Sequence, residues 1–346
     1  MTFAYGTHEV RVVFGPGTLS KLPEELDRTA LRRVMLLTTP SREQDRNRVI
    51  ELLGSRFVGA YTGAKLHVPV SVVADARKAL DECKPESLLA YGGGSAIGLG
   101  KALAFDTRLP LAAIPTTYSG SEMTTVWGNS EEGVKRTFRN REVAPCLVLY
   151  DPALTHGLSA RVTGASGMNA LAHCIEAEYA PEQGPVTSFF ALEGVRHLKA
   201  GLEVLADSPR DEAARRRALL GAHYAGRALD MTSMGLEHKL AHMLGSTGLD
   251  HAEAHAAIVP WVTAYNAPAV PEAMARLATA LGSDDASFAP RALVQRLHIR
   301  TLKDLGFPVR DIPHVVQLVL ALEFPNPRPV DADGLNWILE RAVLGG

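Results

Sequence analysis

Apolar and polar positions follow two different rhythms along this chain. Up to residue 150, short apolar runs alternate with segments of helical period. The run 34–38 (VMLLT) ends at Pro40, 87–91 (SLLAY) enters Gly92-Gly93-Gly94, 111–114 (LAAI) stops at Pro115, and 146–150 (CLVLY) closes the series. Runs of this length bounded by proline or glycine predict buried strands. Residues 10–14 predict a further strand, turned by Gly15-Pro16-Gly17. Between the runs, 71–83 and 96–105 carry the 3.6-residue period of helices. Strands alternating with helices at this spacing imply a mainly parallel sheet covered on both faces. After Asp151-Pro152 the rhythm changes to long Ala- and Leu-rich helical patterns, at 167–179, 185–200, 211–232 and 271–281. The chain therefore predicts an α/β domain at 1–155 and an all-helical domain at 156–346, with the boundary between 151 and 165.

Composition narrows the class. At 346 residues there is room for two domains, and 46% hydrophobic with 21% charged residues is the balance of a soluble globular protein. A formal net charge of -2 gives no footing for nucleic acid or an anionic membrane. Cys83, Cys146 and Cys174 are odd in number and far apart, which predicts no disulfide framework and a reducing compartment. The first residues, MTFAYGTHEVRVVFGPG, lack the basic start and apolar core of a signal peptide, and no apolar run is long enough to span a bilayer. The expectation is a cytoplasmic protein.

Two polar turns carry candidate binding chemistry. Gly92-Gly93-Gly94-Ser95-Ala96-Ile97-Gly98 follows a predicted strand and opens a helix. Glycines there admit a pyrophosphate to the backbone, and the helix N-terminus supplies N–H donors and a positive dipole end. The spacing is not G-x-G-x-x-G, so a bare tight turn is the alternative. Pro115-Thr116-Thr117-Tyr118-Ser119-Gly120-Ser121-Glu122 follows the next strand. Ligands collect outside the carboxyl ends of parallel strands, so the two turns describe one cleft. An N-capping loop is the alternative for the second.

The densest chemistry lies in GLEHKLAHMLGSTGLDHAEAHAAIVP, residues 235–260. His238 and His242, then His251 and His255, form two H-x-x-x-H pairs, and Asn169 and His173 repeat the spacing upstream. Residues four apart share a helix face, so each pair can aim two side chains at one point. Three neutral imidazoles with an open position suit zinc or iron(II). Asn169 is neutral where a carboxylate would strengthen such a site. The alternatives are a metal-free centre, in which one histidine is a general acid and others orient substrate, and histidines that merely fill helix faces.

The segments GGGSAIGLGKA (92–102), IPTTYSGSEMT (114–124), YDPALT (150–155), SGMNALAHCIEA (166–177), GLEHKLAHMLGS and DHAEAHAAIVP together resemble the iron-containing alcohol dehydrogenase superfamily. Phe14-Gly15-Pro16-Gly17, His67-Val68-Pro69, Thr124-Thr125-Val126-Trp127-Gly128, Tyr265-Asn266-Ala267-Pro268 and Pro325-Asn326-Pro327-Arg328-Pro329-Val330 look, more narrowly, like its maleylacetate reductase subgroup. The resemblance covers nearly the whole chain. It implies the dehydroquinate synthase-like fold of that superfamily, with an N-terminal domain for NADH or NADPH, a helical C-terminal domain, and an active site in the cleft between them. It places Gly93, Gly94 and Ser95 at the pyrophosphate, and Thr116, Thr117 and Ser119 at the nicotinamide end. Thr38, Thr39 and Pro40 fall where the adenine-ribose side begins, and Lys135 near the nicotinamide ribose.

In metal-dependent relatives an Asp and three histidines bind the ion. Their positions here are Asn169, His173, His238 and His251, whereas His242 matches a histidine near the nicotinamide ring. The subgroup carries Asn at the first position and is regarded as metal-free, so a divalent metal, iron or zinc, is not favoured. Three departures stand out. The segment between His242 and His251 is one residue short and Asp250 replaces a proline, which would displace His251. Ala254 replaces a threonine, which removes a hydroxyl near the site. Ala96-Ile97 replaces two threonines in the glycine turn.

The implied reaction is reduction of the conjugated C=C of maleylacetate to give 3-oxoadipate in aromatic compound degradation. His242, His251 and His255 are the candidates for stabilising the enolate and supplying the proton. Lys239, Arg136, Arg139 and Arg328 are possible anchors for the anionic substrate. No acidic residue follows the first strand and Arg42 lies close by, so dual use of NADH and NADPH is expected. A homodimer follows from the resemblance alone. The rival readings are a metal-dependent alcohol or aldehyde oxidoreductase, a lyase of the dehydroquinate synthase type, or a repurposed non-redox biosynthetic enzyme or binding protein on this fold.

Overall fold

Each apolar run read between residues 10 and 150 becomes a strand in the computed structural model. The structure describes residues 3–131 and 134–345, and the side chains of all of these except Glu43, Gln44, Val134 and Lys135. Residues Thr7–Gly157 make one unit; the second begins at Leu158 and takes in the first residues up to Gly6.

In the first unit the elements run β1 (Arg11–Phe14), α1 (Leu22–Arg28), β2 (Val34–Leu37), α2 (Glu43–Leu53), β3 (Phe57–Tyr61), α3 (Val70–Cys83), β4 (Ser87–Gly92), α4 (Gly94–Thr107), β5 (Leu111–Pro115), β6 (Val126–Glu131), β7 (Val134–Arg139) and β8 (Leu147–Tyr150). Six strands form a sheet in the order β1-β8-β5-β4-β2-β3, and every pairing is parallel. Strands β2, β4, β5 and β8 are buried along their full length, the signature of a sheet covered on both faces. The chain passes from β2 out to the edge strand β3 and returns to β4 on the other flank of β2. That reversal puts the carboxyl end of β4 at a topological switch point.

The apolar pattern does not announce β3 or the antiparallel β6–β7 hairpin. Both have physical reasons. Strand β3 is only half-buried and is interrupted by Gly59, where a Cβ would meet Cys83 at 3.0 Å. The hairpin, VWGNSE against VKRTFR, is polar on much of its surface and lacks a continuous apolar run.

The second unit is helical: α5 (Ala160–Glu178), α6 (Pro185–Asp207), α7 (Glu212–Met231), α8 (Leu236–Ser246), α9 (His251–Asn266), α10 (Pro271–Leu281), α11 (Ala289–Arg296), α12 (Ile312–Leu320) and α13 (Ala332–Leu344). Helix starts are set by side-chain caps on backbone N–H groups: Ser159 for α5, Asp211 for α7, Asp250 for α9 and Asp331 for α13. Helix α5 is buried continuously from Thr163 to Glu178, and α9 nearly so, which makes them the central helices. Around α9 lies a core of Leu236, Leu240, Leu244, Ile258, Val262, Val315, Val319, Leu335 and Leu339. Among the described residues no helix is long and apolar enough to cross a membrane.

Candidate active site

The first unit places its candidate cofactor residues along one edge of the sheet. Leu37 pairs with Ala90 and Gly92 with Pro115, so β2, β4 and β5 end side by side. The Thr116 N–H donates to Gly92 O at 3.0 Å, which joins the two polar turns. Gly92 has φ +149°, a conformation closed to other residues. A Cβ on Gly93 would stand 2.9 Å from Thr117 Cγ2 and Oγ1, whereas one on Gly94 would meet nothing within 4 Å. Glycine at 93 is thus demanded by the neighbouring turn, and glycine at 94 leaves open space before the first turn of α4. The N–H groups of Gly94 and Ser95 lie in that first turn, where a helix has no acceptor of its own to offer.

Thr38 and Thr116 add two buried hydroxyls at this edge whose oxygens have no hydrogen-bond partner. Thr39 lies at the surface beside Ser41, its Oγ1 at 2.9 Å from the Ser41 hydroxyl. Arg42 is already paired with Asp45 at 3.4 Å, which weakens the expectation that it waits for a 2′-phosphate. The Lys135 side chain lies outside the described residues.

The second turn does not cap an α-helix; it enters a single 3-10 turn at Ser121–Met123. A fully buried lysine holds it. Lys101 Nζ, from α4, donates to Ser121 O (2.6 Å), Thr124 O (2.7 Å), Thr124 Oγ1 (2.8 Å) and Val126 O (2.8 Å). Within the turn, the Glu122 carboxyl accepts from the Tyr150 hydroxyl at 2.7 Å, and burial pushes its pKa up. Ser119 approaches the same carboxyl at 3.5 Å. Ala96 and Ile97 are fully buried under the turn, so the departure from two threonines alters the core and not the ligand-facing surface.

The second unit brings its histidines together from three helices. On α5, Asn169, His173 and Glu176 recur on one face. His173 Nδ1 lies 2.6 Å from His238 Nε2, and His238 Nδ1 lies 2.6 Å from Glu176 Oε2. His255 Nδ1 lies 2.8 Å from both oxygens of Glu237, and its Nε2 is 3.2 Å from His251 Nε2. The His251 ring is 4.4 Å from that of His255 and 5.3 Å from that of His242. The first H-x-x-x-H pair therefore divides: His238 joins His173, and His242 joins His251.

Two departures from the family pattern have structural places here. The Asp250 carboxylate accepts from Ala252 N (3.0 Å) and Glu253 N (3.2 Å) and so starts α9 at His251. Ala254 is fully buried in the apolar core around α9. Arg161 and Arg300 fix the first turn of α9 by pairing with Glu253, at 2.8 and 2.6 Å. Arg328, a candidate anchor, is engaged on Tyr265: its guanidinium lies 4.0 Å from the ring centroid and donates to Tyr265 O at 3.0 Å. Asn266 and Asn326 exchange amide hydrogen bonds at 3.1 and 2.8 Å, so the YNAP and PNPRPV segments clasp each other. Of the other anchors, Arg136 and Arg139 are exposed and Lys239 is half-buried.

Sequence reasoning missed Glu176 and Glu237. Their signal was an acidic residue inside an otherwise apolar stretch, three positions after His173 and one before His238. Both are buried. Burial, with Glu176 close by, pushes the Glu237 carboxyl well above the usual range, while His238 pulls it back.

The cluster can be tested against a divalent ion. Two imidazole nitrogens around one tetrahedral ion stand roughly 3.3 Å apart, from bonds of about 2.0–2.1 Å. The 2.6 Å between His173 Nδ1 and His238 Nε2 is shorter, so those rings bond to each other. Glu237, His238 and His255 also gather their ligand atoms within 4.8 Å, with Glu237 at 2.8 Å from His255 Nδ1 and 3.2 Å from His238 Nδ1. Asn169 contributes a neutral oxygen that is buried with no hydrogen-bond partner. Asn169, His173 and His238, with a neutral oxygen at one position and two rings bonded to each other, do not fit a divalent ion in this arrangement.

Comparison with known proteins gives a consistent answer. The iron-containing alcohol dehydrogenase family matches residues 9–152, and its C-terminal region matches residues 163–343. The chain is 42% identical over 348 residues to a maleylacetate reductase of Burkholderia cepacia, covering 99% of this chain and 98% of that protein. Among solved structures, a putative alcohol dehydrogenase of Ralstonia eutropha JMP134 superposes with TM-score 0.97 at 41% identity, over 100% of this chain and 99% of that one. A maleylacetate reductase of Rhizobium sp. strain MTP-10005 gives TM-score 0.94 at 38% identity, over 100% and 99%. The parallel sheet with its glycine turn, the helical unit with its histidines and these full-length matches agree: the chain belongs to the iron-containing alcohol dehydrogenase family and, within it, to the maleylacetate reductases.

Proposed function

We propose that this oxidoreductase uses NADH or NADPH to reduce the conjugated C=C of maleylacetate, giving 3-oxoadipate, without a bound metal. The observation that carries the reading is the full-length likeness to maleylacetate reductases at about 40% identity, with Asn169 standing at the head of the histidine cluster. Gly93, Gly94 and Ser95 take the pyrophosphate at the start of α4; Thr116, Thr117 and Ser119 take the nicotinamide end, Lys135 the nicotinamide ribose, and Thr39 lies on the adenine-ribose side. Bound reduced nicotinamide supplies the hydride, which adds to the carbon β to the ketone of maleylacetate. His242, His251 and His255 donate to the enolate oxygen that develops, and one of them passes a proton to the α carbon. His173, His238 and Asn169 orient that group of rings and the ligand beside them. The substrate is a small dianion and the working form a homodimer.

Purified protein mixed with maleylacetate and NADH should lose the absorbance of the reduced nicotinamide, with one 3-oxoadipate formed per cofactor oxidised. Chelator should leave the rate unchanged, and elemental analysis should find no stoichiometric zinc or iron. Absence of turnover with either cofactor rejects the reductase reading; a stoichiometric metal rejects the metal-free part of it.

A further inference from the structure

Glu176 accepts from two backbone donors. Its Oε1 accepts from the Glu237 N–H at 2.7 Å, and its Oε2 accepts from the Gly235 N–H at 3.0 Å. These groups open α8, whose positive dipole end favours a carboxylate at this place. A carboxylate so held offers His238 Nδ1, 2.6 Å away, only lone pairs. His238 therefore carries its hydrogen on Nδ1. The Glu237 oxygen 3.2 Å from the same nitrogen lies on the same side of the ring.

A neutral imidazole with hydrogen on one nitrogen accepts at the other. His238 Nε2 is thus the acceptor in its 2.6 Å bond to His173 Nδ1, and His173 must donate there. The hydrogens of these two bonds point one way, from His173 to His238 to Glu176, and His173 Nε2 carries no hydrogen. We propose that Glu176 is a positioning residue that sets the tautomers of His238 and His173. His173 Nε2 then has no proton to give, and the proton of the reaction comes from His242, His251 and His255. The assignment of the proton rests on the reductase reading; the tautomers do not.

The test is nitrogen NMR on the whole protein with 15N-labelled histidine, at neutral pH and without substrate, with signals assigned by single histidine substitutions. His238 and His173 should both appear as Nδ1–H tautomers. In Glu176→Gln an amide NH2 enters the set of donors, so the His238 signal should change tautomer or split. Turnover should fall about 10–100-fold, the usual cost of losing a partner that orients a histidine, with KM for the reduced cofactor unchanged. Either ring found as the Nε2–H tautomer or as an imidazolium in the unsubstituted protein overturns the proposal. So does a Glu176→Gln protein with unaltered signals and turnover. If that variant does not fold, Glu237→Gln, which keeps the cap on α8, decides the point: both tautomers should persist, and a switch assigns the control to Glu237. Expected tautomers in a protein that ignores maleylacetate would reject the functional reading and leave this one standing.

Discussion

The glycine turn after β4 and the histidine cluster of α5, α8 and α9 are built from different materials. The turn is made of backbone: Gly92 because of its φ, Gly93 because Thr117 is 2.9 Å from where a Cβ would be, and Gly94 because open space is kept there. The cluster is made of side chains that hold one another, with Glu176 and Glu237 buried behind His238 and His255. In a site of the first kind the side chains beneath, such as the buried Ala96 and Ile97, belong to the core. In a site of the second kind each ring depends on its neighbour, so a single replacement is felt through the hydrogen-bond chain.

The largest expected effect tests that dependence. His251→Ala and His242→Ala should each lower kcat for maleylacetate reduction on the order of 10²–10⁴-fold, the range for loss of a general acid or a group acting with one. The affinity for NADH, followed by fluorescence titration, should change little in both. If turnover and cofactor affinity fall together, the cluster is not separable from the cofactor residues and the contrast between the two regions fails.

The same contrast explains what could be read from the sequence. Strands β2, β4, β5 and β8 were legible because both faces are buried and the apolar run is continuous. The glycine turn was legible because the backbone requirement is written in the residue itself. The hairpin β6–β7 was not, since half-exposed strands carry no such run. The histidines were conspicuous, but their partners were not. Spacing put His238 with His242, whereas packing of α5 against its neighbours put His238 with His173 and Glu176. Side-chain pairing across helices depends on how the helices pack, and one helix's period does not contain it.

A smaller effect concerns the helical unit away from its reactive rings. Burial, then the Arg227 charge, lowers the His223 imidazole from 6.5 to about 4. Below pH 6.5 the unfolded chain takes up a proton at this residue that the folded protein refuses until about pH 4. The stabilisation is complete above pH 6.5 and is lost as pH falls through that window, a change on the order of 3 kcal/mol. Urea denaturation of the parent protein at a series of pH values should show this slope, and His223→Phe should flatten it. An unchanged slope in the variant would place the acid sensitivity elsewhere.

The smallest effect separates ligand from fold within the turn. Gly94 is the first residue of α4, its φ is not in the positive range, and a Cβ there meets nothing within 4 Å. Alanine should therefore fit, and removing the freedom of glycine from the unfolded chain should raise stability by about 0.5 kcal/mol. The same methyl group stands where a pyrophosphate would approach the first N–H groups of α4. Affinity for NADH should then fall about tenfold, equivalent to roughly 1.4 kcal/mol. Gly93→Ala is the foil: its methyl runs into Thr117, so stability and affinity should both fall. Opposite signs for stability and affinity in Gly94→Ala are what a phosphate cradle requires, because a turn kept open only by packing has no reason to lose a ligand while gaining stability. Unchanged affinity in Gly94→Ala would reduce the turn to a tight connection between β4 and α4.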